Sequence, residues 1–526
     1  MEEPCVDIPT KKGLLGQAAQ NFGDLFRWRQ RVTIIDKDGN ETTEWQSPEP
    51  LKNPIRLLRQ LSATNWLYYI VGLAAWTVDG YDFHSVSLSL TNLSKFYGVS
   101  KTDVSTSITL TLLLRSLGAV VFGIAADFYG RKWPMVLNMF IIGALQIGTV
   151  YASTYNQFLA VRSLFGIGMG GIWGGAISMA LENVPNEARG LLSGILQQGY
   201  SLGYVFAAIF NLTLAPRGGP HGFRTLFWIG AGASFFVGIV RACFPESKQF
   251  IEAKKAAGRG AGTKAFRAQF ATCVRTQWRM IIYCCILMAW FNYYSHSTQD
   301  TYPTMLISGF GFSQNDSSKA SILMKTGACV GGAVIGYISQ SFGRRRTIVL
   351  SALMSGLLIP AWILPHSLGG LMAGGFMLQF FVQGAWGVIP VHLNELAPPA
   401  FRASFPGIAY QIGNMISSPS AQIVTAISEN TTYTNFRGDK AEAFGPVMAV
   451  ATAIIVVGII TWVGVGVEKK GSHFEAAAAA TVVVDGEARQ KNDLETGLGS
   501  TSDVNESFED EKKGQNEVKT LDRDAD

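Results

Sequence analysis

GIAADFYGRK, residues Gly123 to Lys132, returns in altered form as GYISQSFGRRR, residues Gly336 to Arg346. Each copy closes an apolar run and opens another. Gly130 precedes Arg131 and Lys132, and Gly343 precedes Arg344, Arg345 and Arg346. That pattern reads as a tight turn between two membrane spans, with the cations held at the cytoplasmic surface. Asp127 sets a carboxylate near the helix ends in the first copy, where the N-terminus of a neighbouring helix would favour it. Gln340 stands in its place in the second, so any acidic latch there is weaker. Two copies in equivalent places describe a chain built from two halves.

Composition agrees with a membrane body. Only 15% of the 526 residues are charged, against about 25% in an ordinary globular protein. The mean hydropathy is +0.20 although both ends are hydrophilic, so the middle is far more apolar than the average. A water-soluble multidomain enzyme and a mainly disordered chain are excluded. Runs of about 20 apolar residues, the length of a span, fall near 66–90, 105–126, 134–153, 157–180, 190–212 and 225–244. A second set falls near 280–306, 322–340, 348–364, 370–392, 404–426 and 445–466. The expected division is therefore a cytoplasmic segment 1–63, a six-helix half 64–244, a basic linker 245–279, a six-helix half 280–466 and a tail 467–526.

Orientation follows from the loops. Arg131, Arg189, Arg344 and Arg402, with the basic linker, fall on one side if both termini are cytoplasmic. The other side carries Asn-x-Ser/Thr sequons at Asn92, Asn315 and Asn430, acceptors for glycosylation. The net charge of +5 is thus a matter of membrane orientation, and no nucleic-acid partner is expected. The six cysteines have neither zinc spacing nor a secreted disulfide pattern, so no metal is expected. Acids and the Lys11–Lys12 pair open the chain instead of an apolar run, so no cleavable signal peptide is expected.

Two six-span halves, a cytoplasmic linker and the repeated loop resemble the major facilitator superfamily. The first loop is similar to that family's G-x-L-A-D-x-x-G-R-K/R motif, with Asp127, Gly130, Arg131 and Lys132 in register. The resemblance implies that Asp127, Gly130 and Arg131, with Gly343 and Arg344, form conformational gating loops. Span 4, VRSLFGIGMGGIWGG, resembles the superfamily's arginine-then-glycine helix, beginning at Arg162. Its glycines read first as close helix packing.

Function must come from the ionisable groups that lipid would reject. Span 1 contains Asp79, Asp82 and His84, span 2 Arg115, and span 4 Arg162. An acid and an arginine here form either an interhelical ion pair or a working site. Arg115, near mid-span, also has the fork that suits a carboxylate. Span 7 reads WFNYYSHSTQDTYPTML, Trp290 to Leu306. Asn292, His296 and Asp300 stand four residues apart and share a helical face, with Gln299 beside them. Such a stripe belongs on a polar path, and His296 with Asp300 is a candidate proton carrier; Asp79 and Asp82 are further candidates.

Within that span, Asn292, Ser295, His296, Thr298, Gln299, Asp300 and Thr304 match N-x-x-S/T-H-x-S/T-Q-D-x-x-x-T. This is the signature of the Jen-type fungal monocarboxylate/proton symporters, and the resemblance runs from about residue 60 to 466. It implies roles in transport and proton coupling for Asn292, His296 and Asp300. It also implies a substrate-recognition pair at Gln411 and Asn414, an arginine at Arg115 and an aromatic in span 5, matched to Phe206. The expectation is uptake of lactate, pyruvate and related short carboxylates with a proton across the plasma membrane, with no cofactor. A dicarboxylate or sialate symporter, a sugar facilitator and a non-transporting nutrient sensor are the alternatives. The tail, with 14 acids against six Lys/Arg over 471–526, reads as disordered. Lys491, Lys512, Lys513 and Lys519 are candidate ubiquitin acceptors for endocytic turnover.

Overall fold

The computed structural model of the chain describes residues 13–35, 41–182, 184–246, 251, 263–398, 401–402, 404–434, 438 and 440–471. Residues 247–250 and 252–262 of the basic linker, Cys5 and the four candidate ubiquitin acceptors lie outside the described residues. Among the described residues the chain is helical apart from two short antiparallel ribbons. These are β1 (Gln30–Ile35) with β2 (Glu41–Gln46), and β3 (Thr432–Thr434) with β4 (Lys440–Glu442).

After α1 (Leu14–Asp24) and α2 (Pro54–Arg59), long helices begin: α3 (Ala63–Leu88), the short α4 (Leu90–Tyr97), α5 (Lys101–Tyr129) and α6 (Lys132–Tyr151). They continue as α7 (Tyr155–Gly170) running into α8 (Ile172–Glu182), α9 (Arg189–Gln197) into α10 (Gly199–Thr213), and α11 (Phe223–Cys243). The second series is α12 (Thr263–Gln299), α13 (Gln314–Phe342), α14 (Arg344–Leu357), α15 (Leu368–Leu396), α16 (Ser404–Ser417) into α17 (Ser420–Glu429), and α18 (Phe444–Val465). Among the described residues, seven helices are long and apolar enough to cross a membrane. The remaining helical stretches are interrupted, as at Gln198 and Pro419, or carry polar groups, as in α3 and α12.

Helix α12 starts at Thr263 rather than near 280, so the last part of the expected linker is helical and continuous with span 7. It also stops at Gln299, short of 306, giving way to a turn at Tyr302–Thr304 and a wider π turn over Met305–Gly309. Pro303 lacks the N–H that a continuing helix requires.

The repeated loops share one backbone geometry. Gly130 has φ 98° and ψ 166°, and Gly343 has φ 93° and ψ 154°. A side chain at either position would meet the strain of positive φ, which is why glycine stands in both copies. At the opposite end, α5 and α7 start with capping boxes: Ser100 with Asp103, and Thr154 with Gln157.

The two halves meet along α5 with α16 and along α9–α10 with α13. At the basic end this contact is backbone against backbone. A Cβ on Gly194 would lie 2.2 Å from the Gly332 carbonyl oxygen. Ser193 Oγ donates to the Gly387 carbonyl at 2.8 Å and accepts from Val391 N at 3.1 Å. The N-terminal segment straps the same end. Tyr337 OH donates to the Lys52 carbonyl at 2.6 Å, Arg345 Nη2 to Asn21 O at 2.9 Å, and Thr33 N to Glu468 O at 2.9 Å. The sequons lie on the opposite side of the bundle, where Asn92, Asn315 and Asn430 are exposed.

Candidate functional site

The last turns of α12 carry the polar stripe, buried against α13, α15 and α16. His296 Nδ1 lies 2.7 Å from Asp300 Oδ2, and its Nε2 lies 3.3 Å from Asn414 Oδ1. Asn414 Nδ2 donates onward to Gln411 Oε1 at 3.2 Å. The imidazole is therefore clamped between a carboxylate on its own helix and an amide on α16. Asp300 keeps 30% of its side chain exposed and His296 only 11%, so the carboxylate is the wet end of the pair. Asn292 is turned inward instead, donating to the Met288 carbonyl at 2.8 Å and more weakly to Tyr410 O at 3.5 Å.

A second polar chain runs beside the first. Gln299 Nε2 donates to Ser295 Oγ at 2.9 Å, and Gln383 Nε2 on α15 donates to the same oxygen at 3.2 Å. Gln299 Oε1 accepts from Lys325 Nζ on α13. Lys325 is 2% exposed, and its ammonium stands 5.0 Å from the ring centre of Tyr204 on α10. This lysine was missed in the sequence, as were Gln383 and Tyr204.

The first half balances its charges internally. Arg115 Nη2 on α5 pairs with Asp79 Oδ2 on α3, both fully buried. Asp82 accepts from Gln146 Nε2 at 2.7 Å and from Ser234 Oγ at 3.2 Å. Arg162 Nη1 reaches Gln146 Oε1 at 3.2 Å and packs over Phe165 at 3.9 Å. Of the two readings open for Arg115, ion pair or carboxylate fork, the geometry has the ion pair, since Asp79 occupies the guanidinium. Phe206 is corrected as a lining residue. It is 41% exposed, because two helical residues turn a side chain about 200° from Tyr204. Tyr200 and Tyr204, one turn apart, instead face the interior with His84, each ring 4.9 Å from the imidazole centre.

Aromatic rings close the space between halves. Tyr410 stacks on Trp173 at 4.4 Å and meets Trp76 and Trp386 edge-on at 6.2 and 5.8 Å. At the basic end, Asp127 Oδ2 accepts from Ser404 N at 2.9 Å at the start of α16, joining the halves. Arg131 pairs with Glu182 at 2.7 Å. In the second copy Arg344 reaches both oxygens of Glu395 at 3.1 Å and Gln340 Oε1 at 2.9 Å. Glutamine at 340 thus still serves the arginine, while the acid comes from α15. Among the described residues, His392, Glu395 and Glu468 bring ligand atoms within 4.8 Å of one another. Glu395 is taken by Arg344 and Glu468 Oε2 by the Arg345 N–H at 3.0 Å, while Glu468 Oε1 and both ring nitrogens of His392 are buried without a hydrogen-bond partner among those residues.

The sequence profile of the Major Facilitator Superfamily matches residues 66–418. The carboxylic acid transporter protein homolog of Saccharomyces cerevisiae is 33% identical over 79% of this chain and 70% of its own length. The cis,cis-muconate transport protein of Acinetobacter baylyi is 22% identical over 68% of this chain and 86% of its own. Among solved structures, the proton:xylose symporter XylE bound to 6-bromo-6-deoxy-D-glucose superposes with a TM-score of 0.63 at 15% identity. It covers 80% of this chain and 99% of its own.

Proposed function

This chain belongs to the Major Facilitator Superfamily, and on that premise we propose that it carries short monocarboxylates, lactate and pyruvate foremost, together with a proton. It is a transporter rather than an enzyme. We read twelve crossings in two six-helix halves, 64–244 and 280–466, with linker 245–279 and both termini cytoplasmic, in the plasma membrane. The described part of segment 1–63 then straps the cytoplasmic side, and tail 467–526 is where ubiquitin ligation would act. Asn92, Asn315 and Asn430 are proposed as external glycosylation acceptors.

The observation that carries the reading is the clamped His296–Asp300 pair at the end of α12. A carboxylate anion entering a low-dielectric space costs several kcal/mol unless its charge is offset. A proton held between imidazole and carboxylate supplies that offset, and both ride through when the halves rock. Asp300, the more exposed partner, takes the proton from the outside. His296 holds it, with Asn414 and Gln411 fixing the ring. The net charge carried is zero for one anion and one proton, so the pH gradient drives accumulation. Likeness to the yeast carboxylic acid transporter homolog supports the carboxylate class.

Muconate bears two carboxylates, and the relative named for it favours a dicarboxylate as the second reading. One experiment separates the two. Uptake in a carboxylate-transporter-null yeast is measured for lactate, pyruvate, acetate, propionate, succinate and malate, with and without a protonophore. Protonophore-sensitive lactate and pyruvate uptake, uncompeted by succinate or malate, is the expected result. Preferential uptake of the diacids replaces it with the second reading, and no uptake of either class overturns both.

A further inference from the structure

We infer that Lys325, rather than Arg115, is the cation that receives the substrate's carboxylate, an assignment resting on the carboxylate reading above. Lys325 sits within α13, 2% exposed. Its ammonium donates to the Gln299 amide oxygen and faces the Tyr204 ring at 5.0 Å. Among the described residues no carboxylate lies within 4.0 Å of it. Arg115 is different: Asp79 already neutralises it in the same bundle.

An ammonium is strongly hydrated as a compact charge, and burying one without a counter-ion is unfavourable. Within a membrane protein such a residue faces a cavity or a pathway. The position agrees. Lys325 comes from the second half and Tyr204 from the first, so the ammonium lies where the halves part and meet. Asp300, one residue from Gln299, acts on Lys325 only through space, since its direct contact is with His296 at 2.7 Å. Ser295 Oγ accepts from both Gln299 and Gln383, which leaves its own proton to donate. An entering carboxylate then replaces a neutral amide oxygen on Lys325 with an anionic one, and takes the Ser295 hydroxyl with its second oxygen. The hydrogen bond gains charge assistance on one side. Ser295 and Gln299 each stand one residue before His296 and Asp300, so the anion lies at the same level of α12 as that pair, about 100° round the helix, close enough for cargo and proton to be sensed together.

The test compares wild type, Lys325→Met and Lys325→Arg in transporter-null yeast at equal surface expression. Half-saturation for radiolabelled lactate is measured, with competition by lactamide, which keeps the shape and lacks the charge. Lys325→Met is expected to raise half-saturation about ten- to a hundred-fold, the value of a charge-assisted hydrogen bond. It should also lose the preference for lactate over lactamide, and Lys325→Arg should restore most of both. In purified protein, lactate should raise the melting temperature of wild type but not of Lys325→Met, whose unliganded form melts no lower than wild type. A Lys325→Met protein with wild-type half-saturation and preference overturns the assignment while the carboxylate reading stands. A Lys325→Met protein that melts far lower and still shows the lactate shift also overturns it, making the lysine structural. A wild type that moves no carboxylate overturns both.

Discussion

The two halves treat buried charge in opposite ways. The first closes its circuits: Arg115 on Asp79, and Arg162 through Gln146 to Asp82. The second closes one at its basic end, Arg344 on Glu395, but leaves those beside the span-7 stripe open: His296 shares an exposed-edged Asp300, and Lys325 leans on a neutral amide. A closed circuit fixes helices against one another, because separating its members strands a charge in low dielectric. An open one is available to a passenger. The first half is therefore the frame and the second the working surface.

The largest effect should come from opening a closed circuit. Arg115→Met leaves Asp79 as an uncompensated carboxylate and should cost about 3–5 kcal/mol. Thermal unfolding of the purified protein, with surface yield beside it, checks this. The double variant Asp79→Leu with Arg115→Met should recover most of the loss, since both charges go together. A single variant as stable as wild type would mean that Asp79 is not what Arg115 balances.

Next in size is the loss of coupling at the open pair. Asp300→Asn removes the charged partner of His296, a bond worth about 1.5–3 kcal/mol. Uptake that falls as external pH rises is expected in wild type, because protonation of the pair must accompany the anion. In Asp300→Asn and His296→Ala that slope should flatten, and protonophore should no longer collapse accumulation. A steep wild-type slope in both variants would assign the proton to Asp79 or Asp82 and reverse the roles of the halves.

Gly194→Ala probes where frame and working surface lock together. Its Cβ would stand 2.2 Å from the backbone oxygen of Gly332, and backbone cannot step aside as a flexible side chain can. Overpacking of this kind costs about 1–3 kcal/mol, paid only when the basic end is closed. The closed population should shrink. A cysteine placed at Val391 should then react faster with a membrane-permeant maleimide than in the Gly194 parent.

The repeat made much of this frame legible, since a glycine before a basic cluster implied the same turn twice, and Gly130 and Gly343 do share one. The stripe on α12 was legible from four-residue spacing alone. Lys325 was not. The expected span began at 322, which made this lysine a border residue of the kind that reaches back to water. The helix in fact begins at Gln314, placing Lys325 well inside. Whether Arg115 was a free fork or half of an ion pair stayed open, because one sequence cannot say which acid on another helix it will meet. The strap formed by residues 13–35 and 41–61 had no local signal, because backbone carbonyls accept its docking bonds from Arg345 and Arg346.

Span 5 offers the smallest effect and the sharpest control. Tyr204 and Phe206 are both aromatic and two residues apart, yet only Tyr204 faces Lys325 and His84. Phe206 is 41% exposed on the outer side of α10, where lipid replaces whatever contact is removed. Phe206→Ala should therefore change stability by no more than about 0.5 kcal/mol, as exposed substitutions do, and leave half-saturation for lactate within about two-fold, a shift under 0.5 kcal/mol. Tyr204→Ala should weaken lactate half-saturation by about five-fold, matching roughly 1 kcal/mol for a ring facing a desolvated cation. The ratio of the two effects, read in one uptake series, reports which face of α10 the passenger meets. If Phe206→Ala has the larger effect, α10 must rotate during the cycle, and the first half is then more than a frame.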